Sequence, residues 1–342
     1  MKIVVEGAQI GYEHPVFIIA EAGDNHMGSV EDSKEMCLRA KLAGASAIKF
    51  QHHLPDEEML KEIPMSDNFD IPLYDFLVKN ALSLDQHATL LDYCNKIGIK
   101  YMCTPFSYKA AVELKDIGLD IFKIGSGEMT DIPSLLKIAN LGNPMIVSTG
   151  MCTFEEIQRT YEALINHGVN LALTNCVSEY PPKYEDVNLG VITEMKKRFS
   201  KAIIGHSDHT PDIYTCIAAA MLAPAIIEKH VILDKRTPGP DQSVSINFNE
   251  LQQLCDGIRK IEASRGNEKT VHAREEQIRE WAFRSVVTTQ TIEKGEVLSE
   301  DKLWTKRPGT GIPSHMMDKV IGKKAVKDIE KNVLLKWDDF SS

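Results

Sequence analysis

No stretch of this chain approaches the roughly 20 consecutive apolar residues that a membrane-spanning helix requires. The opening MKIVVEGAQIGYEHP is broken by Glu6, Gly7 and Gly11 before any signal-like apolar run develops. Positive charge is also short, with 39 Lys and Arg against 49 Asp and Glu and a net charge of −10. That balance argues against general affinity for nucleic acid or an anionic membrane, so an anionic ligand would need a local positive pocket. The seven cysteines (Cys37, Cys94, Cys103, Cys152, Cys176, Cys216 and Cys255) are odd in number, scattered and without a CxxC pair. They read as reduced thiols, and the expected location is the cytoplasm. A Gly-rich phosphate turn after the first strand is missing too, because AEAGDNHMGS spaces its two glycines wrongly for an open dinucleotide-binding sheet.

What is present is a repeated alternation. Short apolar, β-branched runs occur at 16–23, 46–51, 100–106, 121–128, 144–150, 171–176, 202–209 and 225–231. Segments with helical spacing lie between them, such as 29–44 and 154–168, the second opened by Thr153 as N-cap and closed by Gly168. Eight strand–helix units in roughly 250 residues predict a closed (β/α)8 TIM barrel, with an open doubly wound sheet as the alternative. At 342 residues, a large domain plus a smaller one is expected.

The strand ends carry the chemistry: Glu21 with Asn25 and His26, Lys49 with Gln51, Thr104 with Ser107, Lys123 with Ser126 and Glu128, Ser148, Ser178 with Tyr180, Ser207 with Asp208 and His209, and Glu228 with His230. In a parallel barrel these ends open on one face, where barrel enzymes build their sites. Lys49 and Lys123 sit in apolar strands, where an uncompensated ammonium is costly. Either each pairs with a carboxylate such as Glu21 or Glu128, or both meet a dianionic ligand with the hydroxyls of Thr104, Ser126, Ser148, Ser178 and Ser207. His209 and His230 suit a divalent ion such as Mn²⁺, Co²⁺ or Zn²⁺; the alternative is a hydrogen-bonded acid–base pair. His206 is expected to point away from them.

Taken in order, IIAEAGDNHMGS, AIKFQ followed by HHLPDEEML, TPFS, KIGSGE, STGM, GHSDHT, EKH and RTPGPD resemble the N-acetylneuraminate (sialic acid) synthase family over nearly the whole chain. Members condense phosphoenolpyruvate with N-acetylmannosamine, using a divalent metal and C–O cleavage. Residues 284–342 are similar to the family's small, mostly β antifreeze-like (β-clip) domain, and TIEKGEVLSEDKL (291–303) and DIEKNVLLKWDDF (328–340) form an imperfect repeat within it. The implied organisation is a synthase barrel over 1–261, a charged linker or solvated helix over 262–283, and the antifreeze-like domain over 284–342.

The resemblance implies phosphoenolpyruvate contacts at Lys49, Thr104, Lys123, Ser126, Ser148, Ser178 and Ser207. It implies sugar contacts at Gln51, Asn68, Glu128, Tyr180, Asp241 and Arg307. Glu21 would lie between the substrates and be catalytic with Lys49 and Lys123. His209 and His230 would hold the metal, manganese first, with magnesium or cobalt as alternatives. The family's domain-swapped homodimer would bring Arg307 in from the partner subunit. Asn175 and His206 stand beside the site where relatives often carry other residues. HHLPDEEML and Asn68 favour N-acetylmannosamine as acceptor; the nearest alternative is a sister synthase making legionaminic acid from 2,4-diacetamido-2,4,6-trideoxymannose. A metal-dependent barrel hydrolase would call for an HxH pair on the first strand, and a noncatalytic carbohydrate-binding protein would release no phosphate from phosphoenolpyruvate.

Overall fold

The computed structural model describes residues 2–5, 8–64, 69 and 71–341. The chain divides into two compact units, Met1–Gly266 and Asn267–Ser342.

The first unit opens with an antiparallel hairpin, β1 (Ile3–Val5) and β2 (Ala8–Ile10). Eight parallel strands follow: β3 (Phe17–Glu21), β4 (Ala47–His52), β5 (Lys100–Pro105), β6 (Phe122–Ile124), β7 (Met145–Ser148), β8 (Leu171–Asn175), β9 (Ile203–Asp208) and β10 (Ile226–His230). They pair in sequence order and close through β10 onto β3, giving the expected barrel rather than an open sheet. Seven of the eight predicted apolar runs contain one of these strands, and β4 runs one residue past its run, to His52.

Local sequence explains the intervening helices. Ser29 Oγ accepts from Asp32 N at 3.1 Å to start the helix Val30–Ala43, and Gly44 ends it at φ 90°. Thr153 and Glu156 form a reciprocal capping box at the start of Phe154–Asn166. The barrel closes with the helix Phe248–Ser264.

Alternation along the strands divides side chains between the barrel interior and the helix layer. The inward residues near the strand starts are apolar: Phe17, Ile19, Ala47, Met102, Ile121, Ile146, Ala172, Ile203 and Ile226 form one buried cluster with Ile3 and Ile10 of the hairpin. The hairpin thus plugs one end of the barrel, and each such isoleucine contributes about 2 kcal/mol by burial. Towards the strand ends the inward residues become polar, so the interior is a closed apolar floor beneath an open polar mouth. Gly205 faces this interior, and a Cβ there would sit 2.8 Å from Ile226 Cβ and 2.9 Å from Thr174 Cγ2.

The second unit contains a helix, Ala273–Ala282, with none of its side chains buried. Two short antiparallel pairs follow, β11 (Ser285–Thr288) with β12 (Leu303–Lys306), and β13 (Lys324–Ala325) with β14 (Phe340–Ser341). The imperfect repeat has a structural counterpart: Ile292 and Ile329 exchange backbone hydrogen bonds at 2.9 and 2.8 Å. Each repeat then runs through a 3-10 turn, Glu300–Lys302 or Trp337–Asp339, into a strand. Val286, Ile292, Leu298, Leu303, Ile312, Val320, Ile329 and Leu335 fill its small core.

Candidate active site

The polar strand ends converge on a cavity of about 600 Å³ at the barrel mouth. Glu21, Lys49, Gln51, Thr104, Lys123, Ser126, Glu128, Ser148, Ser178, Tyr180, Ser207, His209, His230 and Asp241 all line it. Every site residue expected in the barrel and described by the structure is therefore in one place. Asn68 lies outside the described residues. Arg307 belongs to the second unit, where its Nε donates to Ala282 O at 3.0 Å and its guanidinium lies over the Trp281 ring.

The two lysines are paired and still face the cavity. Lys49 contacts Glu21, its direct neighbour in the β3–β4 register, and donates to Thr104 Oγ1 at 3.0 Å. Lys123 Nζ donates to Ser148 Oγ at 2.6 Å and lies 3.2 Å from Glu228 Oε1, which is 4.0 Å from Lys49 Nζ. The partner of Lys123 is thus Glu228 on β10, across the barrel, rather than Glu128. Thr174 completes the floor: its hydroxyl lies 3.0 Å from both Ser148 Oγ and Ser207 Oγ.

These contacts push the two inner carboxylates apart. Burial raises the Glu21 carboxyl above its usual range, opposed by Lys49 and reinforced by Glu228. Against the effect of burial, Lys123 and Lys49 hold Glu228 below that range. A pair divided in this way supplies one group suited to proton transfer and one fixed counter-charge. Burial also raises Glu128 to about 7, and burial with the nearby Asp24 and Glu21 raises Asp241 to about 7. Glu128 Oε2, Glu228 Oε2 and His230 Nδ1 are buried without a hydrogen-bond partner in the protein. Buried polar atoms are normally satisfied, so these three mark where a polar ligand fits.

His209 and His230 stand on the same wall with ring centroids 5.2 Å apart. His209 Nδ1 is 2.7 Å from Val177 O, which turns Nε2 toward the cavity and the Tyr180 hydroxyl at 3.2 Å. Burial and the surrounding cations lower His230 well below the usual imidazole range, leaving it neutral with a lone pair to offer. Burial works against charge on His209, yet Cys176 and the Val177 carbonyl raise it to about 9; an ion bound there would displace that proton. Among the described residues no three His, Cys, Asp or Glu side chains group into a metal cage. The pair, with His230 Nδ1 unpartnered and Asp241 Oδ2 3.5 Å from it, fits a divalent ion whose remaining ligands are water or substrate oxygens.

His206 faces the other way, as expected, with Nε2 3.2 Å from Asp208 Oδ2 and Nδ1 3.2 Å from Asn175 O. Gly150 permits the close approach of two hydroxyls: a Cβ there would lie 2.1 Å from Ser178 Oγ and 2.7 Å from Ser126 Oγ.

Residues 36–270 match the NeuB family. The chain belongs to the NeuB family.

Residues 283–341 match the SAF domain, the antifreeze-like module, and complete the architecture of this NeuB-family enzyme. It is 36% identical to N,N'-diacetyllegionaminic acid synthase of Campylobacter jejuni, over 93% of this chain and 98% of that protein. It is 32% identical to human N-acetylneuraminate-9-phosphate synthase, over 95% and 93%. Among solved structures it is similar to the N-acetylneuraminic acid synthetase of Leptospira borgpetersenii in complex with citrate, with a TM-score of 0.74 and 29% identity over 81% of this chain and 95% of that one.

Several lining residues of the NeuB-family chain escape a reading of strand ends alone. Thr174, in the floor beneath the cavity, lies in β8 two residues before Cys176, and inward alternation in the barrel register would have found it. Cys176 itself lines the cavity beside His209, its Sγ 3.8 Å from Nδ1. His53 and Glu58 come from the segment after β4 and had no strand position to mark them.

Proposed function

We propose that this enzyme joins phosphoenolpyruvate to the open-chain aldehyde of an N-acetylated mannose-type sugar, releasing phosphate and a nine-carbon 2-keto acid. One observation carries the reading: Lys49, Lys123, five hydroxyl side chains and the two imidazoles share one cavity. Two cations among small donors suit a phosphate and a carboxylate on one ligand, and the histidine wall suits the carbonyl of the other.

Lys49 and Lys123 with Thr104, Ser126, Ser148, Ser178 and Ser207 hold the phosphate and carboxylate, while Gln51, Glu128, Tyr180 and Asp241 meet the sugar. The enol C3 attacks the aldehyde carbon, the aldehyde oxygen takes up a proton, and positive character develops at C2. Glu21, with its raised pKa, takes the proton from the water that adds to C2. Cleavage of the C2–O bond then expels phosphate, which carries away the proton of the C2 hydroxyl as the keto group forms. His209 and His230 would hold a divalent ion, manganese first, that supplies Lewis acidity at the aldehyde oxygen. Arg307 would serve the sugar's N-acetyl group from the partner subunit of a homodimer.

N-acetylmannosamine is the first acceptor under this reading, with N-acetylneuraminate as product. A specific observation favours a second, 2,4-diacetamido-2,4,6-trideoxymannose. Met59, Phe69, Leu73, Leu77 and Phe106 give the cavity an apolar side that suits a methyl and an added acetamido group better than two hydroxyls. The relative named for the corresponding product is 36% identical. Incubation with phosphoenolpyruvate and each sugar, with and without EDTA, followed by mass spectrometry, tests the chemistry, the acceptor and the ion together. Absence of phosphate release with every sugar and added metal would reject the reading.

A further inference from the structure

The hydrogen bond that Gln51 gives to Glu21 is the end of a longer line. Gln51 Nε2 donates to Glu21 Oε1 at 2.9 Å, and Gln51 Oε1 lies 3.0 Å from His53 Nε2. His53 Nδ1 in turn lies 3.0 and 3.2 Å from the two carboxylate oxygens of Glu58, in the short helix Pro55–Glu58. The His53 ring is buried and stacks on Phe106 with centroids 4.2 Å apart.

Both ring nitrogens of His53 therefore face acceptors. A neutral imidazole carries one N–H and satisfies only one of them; the imidazolium satisfies both. Were the proton at Nε2 lost, its lone pair would face Gln51 Oε1, and the amide would turn to offer its NH₂ group to His53. Gln51 would then present its carbonyl oxygen to Glu21, an acceptor against a carboxyl oxygen, and the donor to Glu21 would be gone.

We propose that His53, held doubly protonated by Glu58, is a positioning residue that locks the Gln51 amide with its NH₂ group on Glu21. The consequence for turnover rests on the reaction proposed above; the protonation of the ring does not. The charged and titratable groups around the ring come from several elements: Glu58, Asp24 and His26 after β3, His52 beside it on β4, His87 from the helix Leu84–Ile97, and Glu128 after β6. Burial alone would lower the His53 pKa. The Glu58 hydrogen bond and the carboxylates of Asp24, Glu58 and Glu128 overcome it and raise the ring above its usual range.

The test is two-bond ¹H–¹⁵N correlation on the full chain with ¹⁵N-labelled histidine, His53 being assigned by the signals lost in His53→Gln. Both ring nitrogens are expected to be protonated at about pH 7, and Glu58→Gln should move the ring's titration about one pH unit lower, as loss of a charge-assisted hydrogen bond predicts. An unprotonated ring nitrogen in the unaltered chain, or a titration indifferent to Glu58→Gln, would overturn the proposal. In kinetics, the activity lost in Glu58→Gln should grow with pH, several-fold more at about pH 8.5 than at about pH 6, while His53→Gln should lose the alkaline limb of kcat/KM altogether. A uniform loss at every pH would mean a merely structural role and would also overturn it. If no acceptor sugar turns over, the NMR result still decides the state of His53, and the reaction reading is what fails.

Discussion

Lys123 Nζ lies 3.2 Å from Glu228 Oε1 inside the barrel, both side chains more than nine-tenths buried yet facing the cavity. The same oxygen lies 4.0 Å from Lys49, so one carboxylate holds two buried ammonium groups together. A dianionic ligand brought to these lysines meets a charge balance already set by Glu21 and Glu228.

Replacing Glu228 with Gln should therefore leave two buried cations short of a counter-charge, at a cost of about 3 kcal/mol in stability. Added inorganic phosphate should recover part of that loss, raising the melting temperature of the variant more than that of the unaltered chain. Thermal unfolding with and without phosphate checks this, and equal phosphate shifts in the two proteins would argue against an anion site at the lysines.

His230 is buried at the cavity wall, held neutral by its surroundings, and its Nδ1 has no hydrogen-bond partner in the protein. Changing it to Ala should reduce condensation by about a hundredfold or more, in line with several kcal/mol of transition-state stabilisation. The circular dichroism spectrum should stay that of the folded chain. Isothermal titration with Mn²⁺ supplies a readout free of turnover: heat of binding should vanish in the variant, and undiminished binding would place the ion elsewhere.

Burial raises the Glu128 carboxyl from 4.5 to about 7. Between those values the folded chain keeps a proton that the unfolded chain has released, so stability falls as pH rises through that window and the loss is complete above it. Glu128→Gln removes the titration. The variant should be about 2 kcal/mol more stable than the unaltered chain at about pH 8 and nearly equal to it at about pH 4. Urea unfolding at the two pH values measures the difference, and under the proposed sugar contact of Glu128 sugar-dependent turnover should fall as well.

Arg307 sits in the second compact unit, and its proposed role is in the partner's cavity. An equal mixture of Arg307→Ala and His209→Ala chains, allowed to exchange subunits, should recover about a quarter of full activity, because about half of the dimers are mixed and each mixed dimer has one intact site. Neither variant alone should reach that level. No recovery on mixing would remove the arginine from the neighbouring site.

Much of this architecture could be read before any coordinates. The eight apolar runs with helical segments between them map onto β3–β10, because hydrophobic periodicity records which face of each element is buried. Thr153 and Glu156 announce their helix through cap chemistry contained within four residues. The polar strand ends are legible for the same reason: in a parallel barrel direction alone puts them at one mouth. Pairings across the barrel are not local. Lys123 finds Glu228 rather than Glu128 because closure of β10 onto β3 and the inward register of both strands set the distance between them. Asp241 approaches Gly23 and His230 from a loop that no periodicity marks.

By itself the sequence determined the barrel, the small repeat-bearing module after it, and the set of residues gathered at one mouth, since these follow from burial patterns and chain direction. Only the tertiary structure decided which carboxylate compensates which lysine, which imidazole stays neutral and which way Gln51 turns. Those outcomes depend on distances of 3–4 Å between side chains from different strands and loops and on the water excluded around them, and electrostatic energies change steeply over that range.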